Sequence, residues 1–173
     1  LAAGLMGWII WSQRPADQVV STQAPPAQMP AAPEVPPVDE ARAVELRAAA
    51  ETAPDDIQVR VDLGNLYFDG QRFEDAIPWF ESALELRPDD VEVSTDLGVA
   101  YFYTDDTDRA LSQFAQSLKV APAHGKTILN IGIVRAFGNQ DLEGAVEARE
   151  EVQRVAPGSP EALAATELIA AHR

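Results

Sequence analysis

Three stretches of this chain hold residues whose types and spacing can do chemistry. Gly125-Lys126-Thr127 is the way a phosphate-binding loop ends, with backbone amides around the phosphate and a lysine reaching it. That loop needs a glycine five residues earlier, and Val120 stands there. The Gly and Lys then read as a helix start. The acidic run TDDTD, residues 104–108, supplies carboxylates as a calcium loop does, but it lacks the following glycine and the distant glutamate in register. It reads as a solvated turn with an N-cap for the next helix. His124 and His172 have no partner at ligand spacing, and acidic pairs such as Glu150-Glu151 read as exposed helix faces. No nucleophile, base and oxyanion donor converge. The sequence therefore predicts no catalytic residue, no metal, no cofactor and no enzyme.

Composition narrows the partners. Among 173 residues, 28 acids against 13 bases leave a formal charge of −15. Such a chain is repelled by a nucleic-acid backbone and by an anionic membrane surface. There is no cysteine, which excludes disulfides and thiolate catalysis and fits either redox compartment.

The elements that must position any functional residue begin after residue 38. Residues 1–13 form a hydrophobic segment in which LAAGLMGWIIW, residues 1–11, carries no charge before Arg14. Eleven helical residues extend about 16 Å, roughly half a bilayer core. Trp8 and Trp11 followed by Arg14 read as the exit end of a transmembrane helix. Two other readings stay open: a signal-peptide remnant, for which no small-x-small cleavage site follows, and a hydrophobic plug packed on protein. The first residue is Leu and not Met, which points to upstream sequence. Residues 14–38 form a proline-rich linker, with seven of the thirteen prolines in 14–37. It reads as an extended stalk of at most about 75 Å, or as a ligand for an aromatic-lined groove.

From Asp39 onward, apolar residues recur at three- and four-residue steps, which predicts helix throughout. Pro54, Pro88 and Pro122 stand 34 residues apart, and Pro157 follows after 35. A period in this range means stacked supersecondary units. LGNLYF at 63–68 returns as LGVAYF at 97–102. Leu63, Gly64 and Tyr67 become Leu97, Gly98 and Tyr101; Ala76 and Phe80 become Ala110 and Phe114; Ala83 becomes Ser117. The third unit keeps Ile131-Gly132 and Ala145, while Arg135 takes the Tyr position and Arg149 the Phe position. An extra residue near FGNQD lengthens its internal turn.

This pattern resembles the tetratricopeptide repeat, whose first helix carries Leu-Gly and Tyr and whose second carries Ala, Phe and Ala before a closing Pro. The match is near complete in 55–88, strong in 89–122 and weaker in 123–157. The family's early Trp is replaced by Arg60 and Ser94. The resemblance implies an all-α fold: a right-handed superhelical solenoid of stacked antiparallel helix pairs over 39–173. A half-repeat helix at 39–53 precedes the three repeats, and a capping helix at 159–171 follows, with Ser159 as N-cap and Pro160 in its first turn. Gly64, Gly98 and Gly132 let a second helix approach closely, Ala76, Ala110 and Ala145 supply the small contact, and Pro88, Pro122 and Pro157 stop the second helices.

The resemblance also implies that the first helices line a concave groove. Its residues would be Gln58, Val61, Asp62, Asn65, Phe68 and Asp69, then Glu92, Thr95, Asp96, Val99, Phe102 and Tyr103, then Lys126, Leu129, Asn130, Ile133 and Phe137. A clamp for a peptide's terminal carboxylate needs several Lys and Arg residues, and only Lys126 is present. The groove is instead apolar and aromatic along its middle with acids at the N-terminal side, suited to a segment with apolar anchors and basic flanks. Each of Phe68, Phe102 and Phe137, taken singly, reads as packing between helices before it reads as a contact, since buried aromatics are common. The repeats carry −5, −5 and −1, a bipolarity that lets a solenoid stack head to tail.

Two functions follow as expectations. One is a membrane-tethered protein–protein interaction scaffold that binds a protein or peptide partner. It is placed as a single-pass protein of a bacterial inner membrane, with the repeats outside the cytoplasm. The other is a structural subunit that assembles with further copies of itself, its N-terminal segment docked on a neighbour.

Overall fold

The computed structural model describes the backbone of residues 37–170 and the side chains of residues 37–166. The chain divides into two units between Pro36 and Pro37. The hydrophobic segment and nearly all of the proline-rich linker therefore lie outside the described residues. No helix among the described residues is long and apolar enough to cross a membrane.

Eight helices and no strand occur among the described residues: α1 (Glu40–Thr52), α2 (Ile57–Asp69), α3 (Phe73–Leu86), α4 (Val91–Tyr103), α5 (Thr107–Val120), α6 (Gly125–Phe137), α7 (Leu142–Val155) and α8 (Pro160–Ala170). Each packs on the next, and the tight pairs are α2–α3, α4–α5 and α6–α7. The result is a solenoid of stacked antiparallel hairpins, with α1 against the first pair and α8 against the last.

Local chemistry explains where each helix begins and ends. Asp39, Asp56, Asp90, Asp106, Asp141 and Ser159 cap α1, α2, α4, α5, α7 and α8 by accepting a backbone N–H from the first turn. These contacts satisfy donors that the helix itself leaves over. Residues 104–106 of TDDTD are thus a turn ending in a cap, with Asp106 Oδ1 3.1 Å from the Arg109 nitrogen, and Thr107 and Asp108 begin α5. Gly125 opens α6.

At the other end, Ala53, Arg87, Ala121 and Ala156 each precede a proline. All four have non-helical backbone, with φ between −128° and −137° and ψ between 57° and 85°. The proline ring forbids the residue before it a helical conformation, so each second helix stops there. The turns inside the repeats share a different device: Gln71, Asp105 and Gln140 all have positive φ, at 54°, 63° and 56°. The third turn holds four residues, 138–141, against three in the others.

The core is a chain of layers. One cluster runs from Ala43 and Leu46 through Tyr67, Phe80 and Tyr101 to Phe114 and Val134. A second gathers Ile128, Ala148, Val152, Ala162 and Ala165 around α6, α7 and α8. The break falls where Arg135 and Arg149 replace the repeat's Tyr and Phe. Arg149 is nonetheless buried, and burial lowers its pKa from the ordinary value.

Candidate partner-binding face

The repeat signature residues are the scaffold of this face. Leu63, Gly64, Tyr67, Ala76, Phe80 and Ala83 are all buried, as are Leu97, Gly98, Tyr101, Ala110, Phe114 and Ser117. Gly132 and Ala145 are buried in the third repeat, whereas Pro88, Pro122 and Pro157 are exposed.

The two signature tyrosines anchor each first helix to the preceding second helix. The Tyr67 hydroxyl accepts from Arg47 on α1, and the Arg47 and Arg72 guanidinium carbons lie 5.5 and 4.9 Å from its ring centre. One repeat on, Tyr101 donates to Glu81 at 2.5 Å, and Arg109 sits over its ring at 3.9 Å. Burial and then the Glu81 carboxylate push the Tyr101 pKa well above the ordinary phenol value. Arg47 and Glu81 hold the same repeat position 34 residues apart, so the period alone can locate them. Their opposite charges were not anticipated as tyrosine partners. In the third repeat Arg135 turns toward α7 instead, donating to the Gly144 carbonyl at 3.2 Å.

On the opposite face of α2, α4 and α6 lie the residues expected to line a groove. Val61, Phe68, Val99 and Phe102 are half-buried and pack partly on the main core, and Leu129 packs on the second cluster. Asn130 and Ile133 are half-buried, while Asn65, Tyr103 and Phe137 are exposed. Thr95 does not line the surface. It is wholly buried, its hydroxyl 2.6 Å from that of Thr127 and bonded to the Val91 carbonyl. The superhelix brings α4 and α6 close enough at this level for two first helices to share a buried hydroxyl pair.

Aromatic rings are continuous along this face. Phe68 meets Phe73 edge-on at 5.3 Å, Phe73 stacks on Tyr103 at 4.4 Å, and Tyr103 adjoins Phe102 at 5.8 Å. Phe73 was not among the expected lining residues, because it starts a second helix. Its place beside Phe68 and Tyr103 depends on the turn geometry set at Gly70–Arg72.

Charge on the face is acidic and partly compensated. Lys126 Nζ donates to Asp96 at 2.7 Å and to Glu92 at 3.2 Å, and Glu92 also meets His124 Nε2 at 2.9 Å. Burial works against charge on Lys126, and the two carboxylates outweigh it, so its pKa is raised. Burial raises Asp96 despite Lys126, with Glu92 and Asp69 adding to the rise. Burial opposes ionisation of Glu92 too, but Lys126 and His124 prevail and lower its pKa. Lys126 is therefore engaged with the chain's own acids, and among the described residues of this face no set of cations stands ready for a peptide carboxylate. Gln58 bonds Asp62 at 2.8 Å, which leaves Asp62 and Asp69 as further acids on α2. No group of three His, Cys, Asp or Glu side chains among the described residues could hold a metal.

A stack of helix hairpins that buries its signature residues and presents a continuous aromatic and acidic row defines a protein-interaction repeat module. Residues 64–104 match the family described as TPR repeat, and the described residues have the fold of a tetratricopeptide-repeat solenoid. Its fold is similar to a crystal structure of MamA, with a TM-score of 0.63, 21% identity, and 67% of each chain covered. It is also similar to MamA MSR-1, at a TM-score of 0.58 and 28% identity over 69% of this chain and 70% of that one. The first TPR of Spaghetti (RPAP3), solved bound to the HSP90 peptide SRMEEVD, has a TM-score of 0.56 and 23% identity. It covers 78% of this chain and 95% of its own. No curated protein matches the chain.

Proposed function

We propose that this protein is a non-enzymatic, membrane-tethered scaffold that holds a partner segment along the first-helix face of its repeats. The observation that carries this reading is the continuous aromatic row Phe68–Phe73–Tyr103–Phe102, flanked by Asp62, Asp69, Glu92 and Asp96. Such a row suits an extended or helical segment with apolar anchors and basic flanks. The peptide-bound neighbour supports the use of this architecture for holding a peptide. The uncharged stretch at 1–11 and the prolines after it support a tether and stalk in a bacterial inner membrane, with the repeats outside the cytoplasm.

A second reading is assembly with further copies of the same chain. Leu163 on α8 is 62% exposed, on the face turned away from the buried Ala162 and Ala165. An exposed apolar side chain on the last described helix gives another repeat unit a point of contact.

One experiment separates these readings. A photo-crosslinking phenylalanine analogue at Tyr103 or Phe137, in cells that make the full chain, should trap one discrete foreign protein. The same analogue at exposed Ser112 on α5 should not. Adducts only between copies of this chain would favour assembly, and equal trapping from Ser112 would refute a specific face.

A further inference from the structure

The family's early Trp position is held by Arg60, Ser94 and, at the same spacing, Ile128. In a first helix this side chain points between two successive second helices, on the face shared with Leu63 and Tyr67 and away from Val61 and Phe68. The three repeats fill that space differently. In the second, Gln113 Nε2 and Ser117 Oγ both reach Ser94 Oγ at 2.7 Å, closing it with a polar plug. In the third, Ile128 lies in a hollow of about 340 Å³ with Leu118, Pro122, Ile131 and Ala148, where Arg135 stands with the carboxylates of Glu147 and Glu151. In the first, a recess of about 250 Å³ remains, lined by Arg47, Ala50, Glu51, Arg60 and Trp79.

The two arginines of this recess are anomalous for so acidic a chain. Arg42, Arg72, Arg87, Arg109, Arg135 and Arg154 each lie within 3.9 Å of a carboxylate. Among the described residues, no carboxylate lies that close to Arg47 or Arg60. Arg47 donates to the neutral Tyr67 hydroxyl, and Arg60 donates to the Pro54 carbonyl. The Arg60 Nε is buried with no acceptor. Glu51 completes the rim, exposed and in no ion pair. Two guanidinium groups, with no carboxylate in ion-pair contact, therefore line one recess with the half-buried ring of Trp79, against the single carboxylate of Glu51 at the rim.

We propose that this recess is a second docking site, which takes an acidic segment of a partner protein. One carboxylate sits against Arg47 and Arg60, and a neighbouring apolar side chain lies on Trp79. Guanidinium groups bind carboxylates through paired, charge-assisted hydrogen bonds, which supplies the polar contact. The opposite charge of the arginines selects the ligand. The net charge of −15 disfavours another copy of the same acidic chain as its source. The site lies on the other side of α2 from the aromatic row and stands whether or not that row binds a partner.

The test uses the full chain labelled with ¹⁵N, with the Trp79 indole and Arg60 Nε–H signals as reporters, assigned from Trp79→Phe and Arg60→Lys. The probe is the acetylated, amidated peptide Leu-Glu-Leu-Glu-Leu, against its glutamine counterpart and inorganic phosphate. A saturable shift of both signals is expected with the glutamate peptide only, weakened about tenfold or more in Arg60→Gln. Equal shifts from the glutamine peptide would overturn the proposal, and that comparison needs no variant to fold. Phosphate displacing the peptide at equal concentration would reduce the site to a simple anion hole and overturn the peptide assignment. Unchanged binding in a folded Arg60→Gln would do the same.

Discussion

A methyl group placed on Gly64 would lie 2.3 Å from Cε1 of Phe80, and one on Gly98 would lie 2.4 Å from Cε1 of Phe114. The ring of each second helix rests directly on the backbone of its first helix. At Gly132 the nearest atoms are the Ala145 carbonyl oxygen and Ala148 Cβ, both at 3.3 Å, because Arg149 stands where the ring would be.

Gly64→Ala and Gly98→Ala should therefore each cost about 2–3 kcal/mol, since a packed ring must move. Gly132→Ala should stay within about 1 kcal/mol of neutral, because helix propensity offsets a small clash. Urea unfolding of the three variants checks this, and equal losses at all three positions would remove the ring as the cause.

The three positive-φ turn residues are a correctable strain. Gln71→Gly and Gln140→Gly should each raise stability by about 0.5–1 kcal/mol, since glycine adopts this backbone without a Cβ clash. Asp105→Gly should gain less, because Asp tolerates the conformation better. Thermal melts read the order directly.

The Lys126 cluster sets a pH dependence with a defined sign. The Glu92 pKa is lowered below its ordinary 4.5, so its contribution is full above that value and is lost as pH falls through the folded pKa. Asp96 is raised, so it acts in the opposite sense, favouring the fold below its ordinary 3.8 and losing that advantage as pH rises through the folded pKa. Glu92→Gln should flatten the fall in urea midpoint between about pH 5 and about pH 3, and Asp96→Asn should steepen it. Identical slopes in both variants would contradict the assignment.

The division of the core predicts unequal dynamics. Backbone amides of α7 should exchange hydrogen faster than those of α3 and α5, because α7 packs on the smaller, separate cluster. Solenoid stability is a sum of units and their interfaces, so the weakest interface opens first. Uniform protection across α3, α5 and α7 would show that the two clusters act as one.

Much of this protein is legible without coordinates. The 34-residue period, the close approach of a second helix at Gly64 and Gly98, the proline stops and the Asp106 and Ser159 caps all follow from residue types at fixed short spacings. The atoms that meet those glycines, however, are the Phe80 and Phe114 rings and not the expected Ala76 and Ala110. Backbone sterics and first-turn hydrogen bonds act within a few residues, and an identical hairpin reproduces the same contact each time. The candidate face was readable as a row of positions, because a repeat fixes which helix side each position occupies.

Only the tertiary structure decided what each position meets across the stack. It buried Thr95 against Thr127, closed Lys126 onto Asp96 and Glu92, and brought Phe73 between Phe68 and Tyr103. It also left Arg47 and Arg60 together at Trp79 while filling the corresponding space around Ser94. These contacts join residues on successive helices, and their distances depend on how each hairpin is translated and rotated onto the last. The repeat period gives the count of units. The rotation between them, set by side-chain packing at every interface, chooses the partners.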